Sequence, residues 1–265
     1  MWTSLFAPAK WQRLFRNLPV FGEGFLITLQ VAALALLLAL LVGIILGVVS
    51  SGPSKILRGI ARVYVEFFQN TPLVIQIFFY FNALPYIGIM LPVKTLGVLG
   101  VGFYTGAYIS EVVRTGILSI PIGQMEAAQS QGFPYLQAMR TIILPQTITI
   151  VLPPLTNQAV NLIKNTSILA IIAGGDLMYR ADSWANSSLA YGPAYICAGF
   201  LYFVLCFPLS TFARHMEEKI KKSQNQRPEP PTVNKPIKEQ IRTDEDVSLS
   251  GLLRISGMKP TRKEA

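Results

Sequence analysis

The chain is 265 residues long, 51% apolar and 14% charged, with a mean hydropathy of +0.44, a balance that excludes an ordinary soluble domain. A formal charge of +9 invites a nucleic-acid reading, but the Lys and Arg residues are spread over loops and the C-terminal stretch and form no stripe on one face. A spanning helix needs about 20 mainly apolar residues, and the uncharged runs 24–54, 67–93, 141–163 and 183–213 each reach that length.

Residues 1–23 interleave Trp2, Trp11, Phe15 and Phe21 with Lys10, Arg13 and Arg16, which predicts an interfacial arm lying on the bilayer. The first span, from residue 24, carries Gly43 and Gly47 four apart, the spacing at which two helices approach closely in lipid. The second opens near Val63 and holds Gln69, Asn70, Thr71, Pro72 and Gln76 in apolar surroundings. Pro72 removes one backbone hydrogen bond, and Gln76 lies about two turns beyond Gln69 on the same face. A proline kink with hydrogen bonds between helices accounts for these groups as well as direct contact with a transported molecule does, and Gln76 is kept as a candidate for that path.

The third span, 95–114, repeats the small-residue spacing with Gly102 and Gly106 and lines one face with Tyr104, Tyr108 and Glu111. Glu111 and Arg114 are three apart and are expected to form a structural ion pair where this helix leaves the membrane. The stretch from Gln124 to Pro145 is too polar to span, with Glu126, Gln129, Gln131, Gln137 and Arg140, yet Ala127, Ala128, Leu136, Ala138 and Met139 favour helix. Gly132 fits a helix C-cap, Phe133 before a proline is pushed to extended geometry, and Pro134 suits the start of a new helix. Helix, turn and helix at a membrane face result. Ala127 and Ala128 beside the Glu126 carboxylate form a surface that another backbone can approach.

In the fourth span Asn157, Asn161 and Lys164 occur at i, i+4 and i+7 and share one stripe. A lysine on an apolar helix needs a partner or a wet path. The stripe either receives a substrate carboxylate or bonds polar groups at a helix or subunit interface, and both readings stand. Gly174, Gly175, Asp176, Asp182, Ser183, Asn186 and Ser187 predict an external loop, followed by a last span over 194–213. Cys197 and Cys206 fall inside that span, which supports neither a disulfide nor a metal site. Residues 214–265, rich in Pro, Gln and charge, read as a disordered cytoplasmic tail, with one late apolar cluster at Val247, Leu249, Leu252, Leu253 and Ile255.

Lys55, Arg58 and Arg62, then Arg114 and Arg140, then Arg214, Lys219, Lys221 and Lys222 mark the cytoplasmic loops, whereas the intervening loops carry only Lys94 and Arg180. About five spans follow, with the N-terminus outside and the C-terminus inside. Lys10, Arg13 and Arg16 run against that assignment.

The polar stretch resembles the EAA loop of permease subunits from bacterial ABC importers: Glu126, Ala127, Ala128, Gly132, Ile142, Leu144 and Pro145 fall at the spacing of E-A-A, then G, then I-x-L-P. N-T-P-L-V-I-Q at 70–76, the phrase leading from Ala107 to Gln124, and the run from Asn157 to Ser167 are similar to the polar amino-acid branch, with Asn165 standing where an acidic residue is often found. The resemblance covers about 24–213. It implies an all-α type I importer permease, a polytopic membrane protein with about five spans, in which 121–141 is the coupling loop and Glu126, Ala127, Ala128 and Gly132 meet a cytoplasmic ATP-binding subunit. It also implies an extracytoplasmic substrate-binding protein, a second permease subunit (self or related), alternating access in a bacterial cell membrane, and ATP and Mg held by the partner ATPase.

The chain has no G-x-x-x-x-G-K-S/T and no nucleophile, base and orienter set, so it is read as a non-enzymatic permease subunit that binds no cofactor, metal or nucleic acid. The domain plan is an arm over 1–23, a permease domain over 24–213 and a tail over 214–265. A stand-alone channel or secondary carrier, for which polar stripes suffice, and a non-transporting scaffold are the alternatives.

Overall fold

The computed structural model describes residues 7–225, with side chains to 220. Helix α1, Pro8–Arg16, meets α2, Leu18–Ser51, at an elbow on Asn17, whose Nδ2 donates to the Arg13 carbonyl at 2.8 Å. Pro8 and Pro19 occupy helix starts, where a missing N–H costs nothing. The membrane helix therefore begins before residue 24, and the arm boundary at 23 falls inside it. The reason is packing: Phe21 is fully buried, and Gly24 lies against Leu177 and Arg180.

The second span is two helices, α3, Lys55–Asn70, and α4, Leu73–Ala83, and not one kinked helix. Thr71 and Pro72 between them are extended (ψ 129° and 133°). In hydrocarbon the carbonyls freed by such a break need donors. Gln76 supplies them, its Nε2 donating to Phe68 O at 3.2 Å and Thr71 O at 3.0 Å, while Thr71 Oγ1 donates to Phe67 O at 2.7 Å. Two further bonds hold α3 to its neighbour, Tyr64 OH to Phe103 O at 2.7 Å and Gln69 Nε2 to Ala107 O at 3.3 Å. A 3₁₀ turn, Leu84–Ile87, closes the crossing.

Helix α5, Val93–Leu118, runs parallel to α2: Leu38 faces Gly102, Gly43 faces Gly106 and Ile109, and Gly47 faces Ser110 and Val113. Ala35 and Ala39 complete the seam and are fully buried. A Cβ on Gly43 would come within 2.5 Å of Ile109 Cγ2, and one on Gly47 within 2.6 Å of Val113 Cβ and 2.8 Å of the Ser110 carbonyl. Only glycine fits at either point.

After α5 come α6, Ile122–Ser130, and a short α7, Tyr135–Ala138. A π turn, Met139–Ile143, leads into α8, Leu144–Asn165, and a 3₁₀ segment, Thr166–Ile172, finishes the fourth crossing. The polar stretch after Gly175, expected as a loop, is helix α9, Leu177–Ser188. Its Leu177, Ala181, Trp184 and Ala185 bury one face against Phe21 and Leu14, a stripe the Ser and Asn residues around it disguise. Helix α10, Tyr191–Asn225, carries the last crossing and continues past 213. The late apolar cluster at 247–255 lies outside the described residues. Among the described residues four helical runs are long and apolar enough to span, namely α2, α5, the run from Tyr135 to Ile172, and α10, with the shorter Leu73–Ile87 as a fifth apolar segment. Because α2 and α5 are parallel, α9 at the start of α2 and α6 beyond the end of α5 lie at opposite ends of the bundle.

Asp176 caps α9, its Oδ2 accepting from Met178 N at 3.0 Å, while Thr28 Oγ1 accepts from Leu177 N at 3.0 Å. Asp176 is fully buried and its Oδ1 has no partner, so burial pushes its carboxyl up from 3.8 to about 6. The protonated form stabilises the fold below about pH 4, and that contribution is lost as pH rises through about 6, on the order of 2–3 kcal/mol. Asp176→Asn keeps the cap and removes this slope. The unfolding temperature of the wild type in detergent should fall relative to the variant across that window; parallel profiles would refute the assignment. For the seam, Gly47→Ala should cost ~1–3 kcal/mol by overpacking, whereas Gly22→Ala, where a Cβ meets nothing within 4 Å, should be neutral or slightly stabilising. Equal unfolding temperatures for the two variants would contradict the packing argument.

Candidate functional site

Two surfaces carry chemistry beyond packing. The first is a groove between α5 and α8 of about 440 Å³, lined by Tyr104, Thr105 and Tyr108 from α5 and by Gln158, Asn161, Lys164 and Asn165 from α8. The Tyr104 and Tyr108 hydroxyls are 3.1 Å apart, and the buried Thr105 Oγ1 has no partner. Every residue lining it ends in a donor or acceptor, between walls that are otherwise apolar.

The groove continues. A cavity of about 430 Å³ shares Tyr108 and Gln158 with it and extends past Glu111, Thr115 and Pro154, and a third of about 610 Å³ shares Gln69 and Glu111 and reaches Lys55, Arg58 and Arg62. Together they trace α5 from Tyr104 to its last turn. Arg114 pairs with Glu111 on this wall, Nε to Oε2 at 2.9 Å, with a second bond from Nη2 to Oε1. Arg62 and Glu66, one turn apart on α3, pair at 3.6 Å along the wall of the lower cavity.

The expected stripe is present with one change of membership. Asn161 and Lys164 line the groove, but Asn157 turns to α10 and donates to Glu217 Oε1 at 3.0 Å. Each residue advances a helix by about 100°. Gln158 and Asn165 therefore share the edge towards α5, while Asn157 and Lys164, also seven apart, share the other edge, which meets α10 at the level of Asn157. Gln158, Asn161 and Asn165, at i, i+3 and i+7, were the pattern that could have found this face. Gln76 is away from the groove, buried under the α3–α4 break, where its amide nitrogen is used and its Oε1 has no partner.

The second surface is α6. Its end is a Schellman motif: Phe133 N donates to Ala128 O at 3.1 Å and Gly132 N to Gln129 O at 2.9 Å, with Gly132 at φ 85°. Pro134 is the N-cap of α7, one residue earlier than a first-turn position. Gln146 Nε2 donates to Gln124 Oε1 at 2.9 Å and ties α6 to α8. Ala128 is buried against the bundle, so Glu126, Ala127 and Gly132 stay exposed. Ile122 (76%) and Leu136 (80%) are exposed beside a shallow cleft lined by Gly123, Ala127 and Ile142. Large apolar side chains held out on a rigid polar loop mark a contact surface.

Residues 39–222 match the family of binding-protein-dependent transport system inner membrane components. The chain belongs to that family. This permease is 42% identical over 210 residues to the probable glutamine ABC transporter permease protein GlnM of Bacillus subtilis (strain 168), covering 79% of the chain and 97% of that relative. It is 37% identical to the putative glutamine transport system permease protein GlnP of Rickettsia bellii (strain RML369-C), covering 75% and 91%. Among solved structures it is similar to an amino acid ABC transporter crystallised with histidines, with a TM-score of 0.73 and 30% identity over 79% of this chain and 98% of that one. The all-α architecture is that of the type I ABC importer permeases, and the protein is a multi-pass inner-membrane component.

A Cβ at residue 132 meets nothing within 4 Å, so Gly132→Ala is opposed by backbone conformation alone. A left-handed non-glycine residue costs ~1–2 kcal/mol. Hydrogen exchange at the Phe133 amide should rise about tenfold in Gly132→Ala and stay unchanged in Gly123→Ala. An unchanged Phe133 rate in the first variant would show that the cap is not what holds the end of α6.

Proposed function

We propose that this permease carries a polar amino acid, glutamine being the first to test, through the groove between α5 and α8 by alternating access driven by a separate ATPase. The observation that carries this reading is the groove itself, where one lysine, three side-chain amides and two tyrosines converge in an apolar wall. Lys164 suits the substrate carboxylate, and Gln158, Asn161 and Asn165 suit a side-chain amide or an ammonium group. The groove is open along one side of the single chain, as a half-site is, and a second permease subunit would close it.

In this reading Glu126, Ala127 and Gly132 present α6, which Ala128 seats on the bundle, to a cytoplasmic ATP-binding subunit, which holds ATP and Mg, and a binding protein delivers substrate to the end bearing α9. The N-terminus then lies outside and the C-terminus in the cytoplasm. Since α6 follows α5 directly and is tied to α8 by the Gln124–Gln146 bond, its displacement reaches both walls of the groove.

Reconstituted with its ATPase and binding protein, the permease should hydrolyse ATP faster with glutamine present, and Glu126→Ala should blunt that stimulation while leaving membrane insertion intact. Gln158→Leu and Lys164→Met should weaken uptake by about 10- to 100-fold, the range expected for one hydrogen bond to a charged group. Stimulation by no amino acid would sink the substrate assignment, and uptake that proceeds without ATP would favour a secondary carrier.

A further inference from the structure

Packing does not explain the ion pair of Glu111 and Arg114. Both residues stand on α5, three apart, so their pair joins no two helices, and a partly exposed pair at that spacing adds little to stability. Their side chains are 42% and 37% exposed, and what they are exposed to is the path itself. Glu111 lines both cavities below the groove, and Arg114 lines the lower of them. Ionised groups kept on the wet wall of a spanning helix mark a route for a polar solute.

The groove above them is chemically incomplete for an amino acid. At neutral pH an amino acid is a zwitterion, and Lys164 offers its carboxylate a cation, but none of the described residues lining the groove is a carboxylate that could meet the ammonium. Along the cavities that lead from the groove, Glu111 is the first carboxylate reached, and Arg114 is bonded directly to it. Seven residues separate Tyr104 from Glu111, a rise of about 10 Å, farther than one head group reaches. The pair therefore belongs to a separate position on the path.

The pair also has bonding capacity to spare. Glu111 uses Nε and Nη2 of Arg114, which leaves Nη1 without a partner among the described residues. Each Glu111 oxygen accepts one of those bonds and keeps a further lone-pair site. An amino-acid head group can dock alongside without breaking the pair, its ammonium donating to Glu111 and its carboxylate accepting from Arg114 Nη1, so that opposite charges alternate around a ring of four. Charge-assisted bonds of this kind are about twice as strong as neutral ones. On the α3 wall of the same cavity Lys55, Arg58 and Arg62 outnumber Glu66, which draws the carboxylate end towards the mouth.

We infer that Glu111 and Arg114 form a second substrate subsite, at the end of the path nearer α6, which reads the zwitterionic head group common to α-amino acids. The inference rests on the transport reading above and adds an exit position to it: a molecule that leaves the groove is held by its head group before release.

The test is equilibrium dialysis of radiolabelled L-glutamine against the purified complex of permease and ATPase, without binding protein or nucleotide. The wild type should bind two molecules per permease chain. Lys164→Met should remove one site, and Glu111→Gln should weaken the other by about tenfold or more at an unchanged unfolding temperature, because the pair ties no helices together. Lys219→Gln, in the last turns of α10, should leave both sites as they are. Glutaramate, which is glutamine without its α-ammonium, should occupy only the groove of the wild type, an arm that needs no variant to fold. A single glutamine site, lost in Lys164→Met and kept in Glu111→Gln, would overturn the subsite and leave the transport reading standing. Two sites for glutaramate would overturn it as well. No glutamine bound by the wild type would overturn both, whereas one site lost in Glu111→Gln alone would support the subsite and count against the groove.

Discussion

The close parallel contact of α2 and α5 is the constraint on which the rest of the bundle depends. In lipid there is no hydrophobic drive between helices, so two backbones stay together only where small side chains let them touch over a long seam. Ala35, Ala39, Gly43 and Gly47 of α2 meet Gly102 and Gly106 of α5 along such a seam. With α5 fixed, Phe103 and Ala107 offer their carbonyls to Tyr64 and Gln69, and α3 has a place to dock. With α2 fixed, Thr28 and Gly24 receive the start of α9.

The groove and the docking loop are two ends of one mechanical element. α5 carries Tyr104, Thr105 and Tyr108 into the groove, Glu111 and Arg114 along its lower wall, and then runs into α6 within a few residues of Leu118. α8 returns from the loop through the π turn and brings Gln158, Asn161 and Lys164 to face those tyrosines. No side chain in the groove is more than one helix removed from α6.

How much of this was legible depended on whether a residue's role is local. Gly132, Phe133 and Pro134 act through their own backbone preferences, and the helix, turn and helix were readable from them. The glycine seam was readable too, because spacing of four has one geometric meaning in lipid. The α3–α4 break was not, since Pro72 alone removes only one bond; a full break is tolerated because Gln76, several residues later, folds back to supply donors. Asn157 and Gln158 differ by one step of the helix, and only the positions of α5 and α10 decide which faces the groove. The stripe of Leu177, Ala181, Trp184 and Ala185 was hidden by composition, because Gly174, Gly175 and the Ser and Asn residues of α9 are also what a loop is made of.

The lengths of the crossings differ in a way the membrane must answer. α2 has 34 residues, a rise of about 51 Å, against a hydrocarbon core of about 30 Å. α4 with its 11 residues and the four-residue 3₁₀ turn after it rise only about 24 Å. The second crossing is not short for that, because α3 precedes α4 in it and adds 16 residues, about 24 Å more. Its length is divided at Thr71 and Pro72, with Ile77 of α4 fully buried against Gly100 of α5, whereas α2 is one unbroken helix locked to α5. Mismatch with the bilayer, at fractions of a kcal/mol per ångström, is taken up by tilt of α2 or by bending at that break, so that the acyl-chain length of the surrounding membrane becomes a setting of the protein's resting shape.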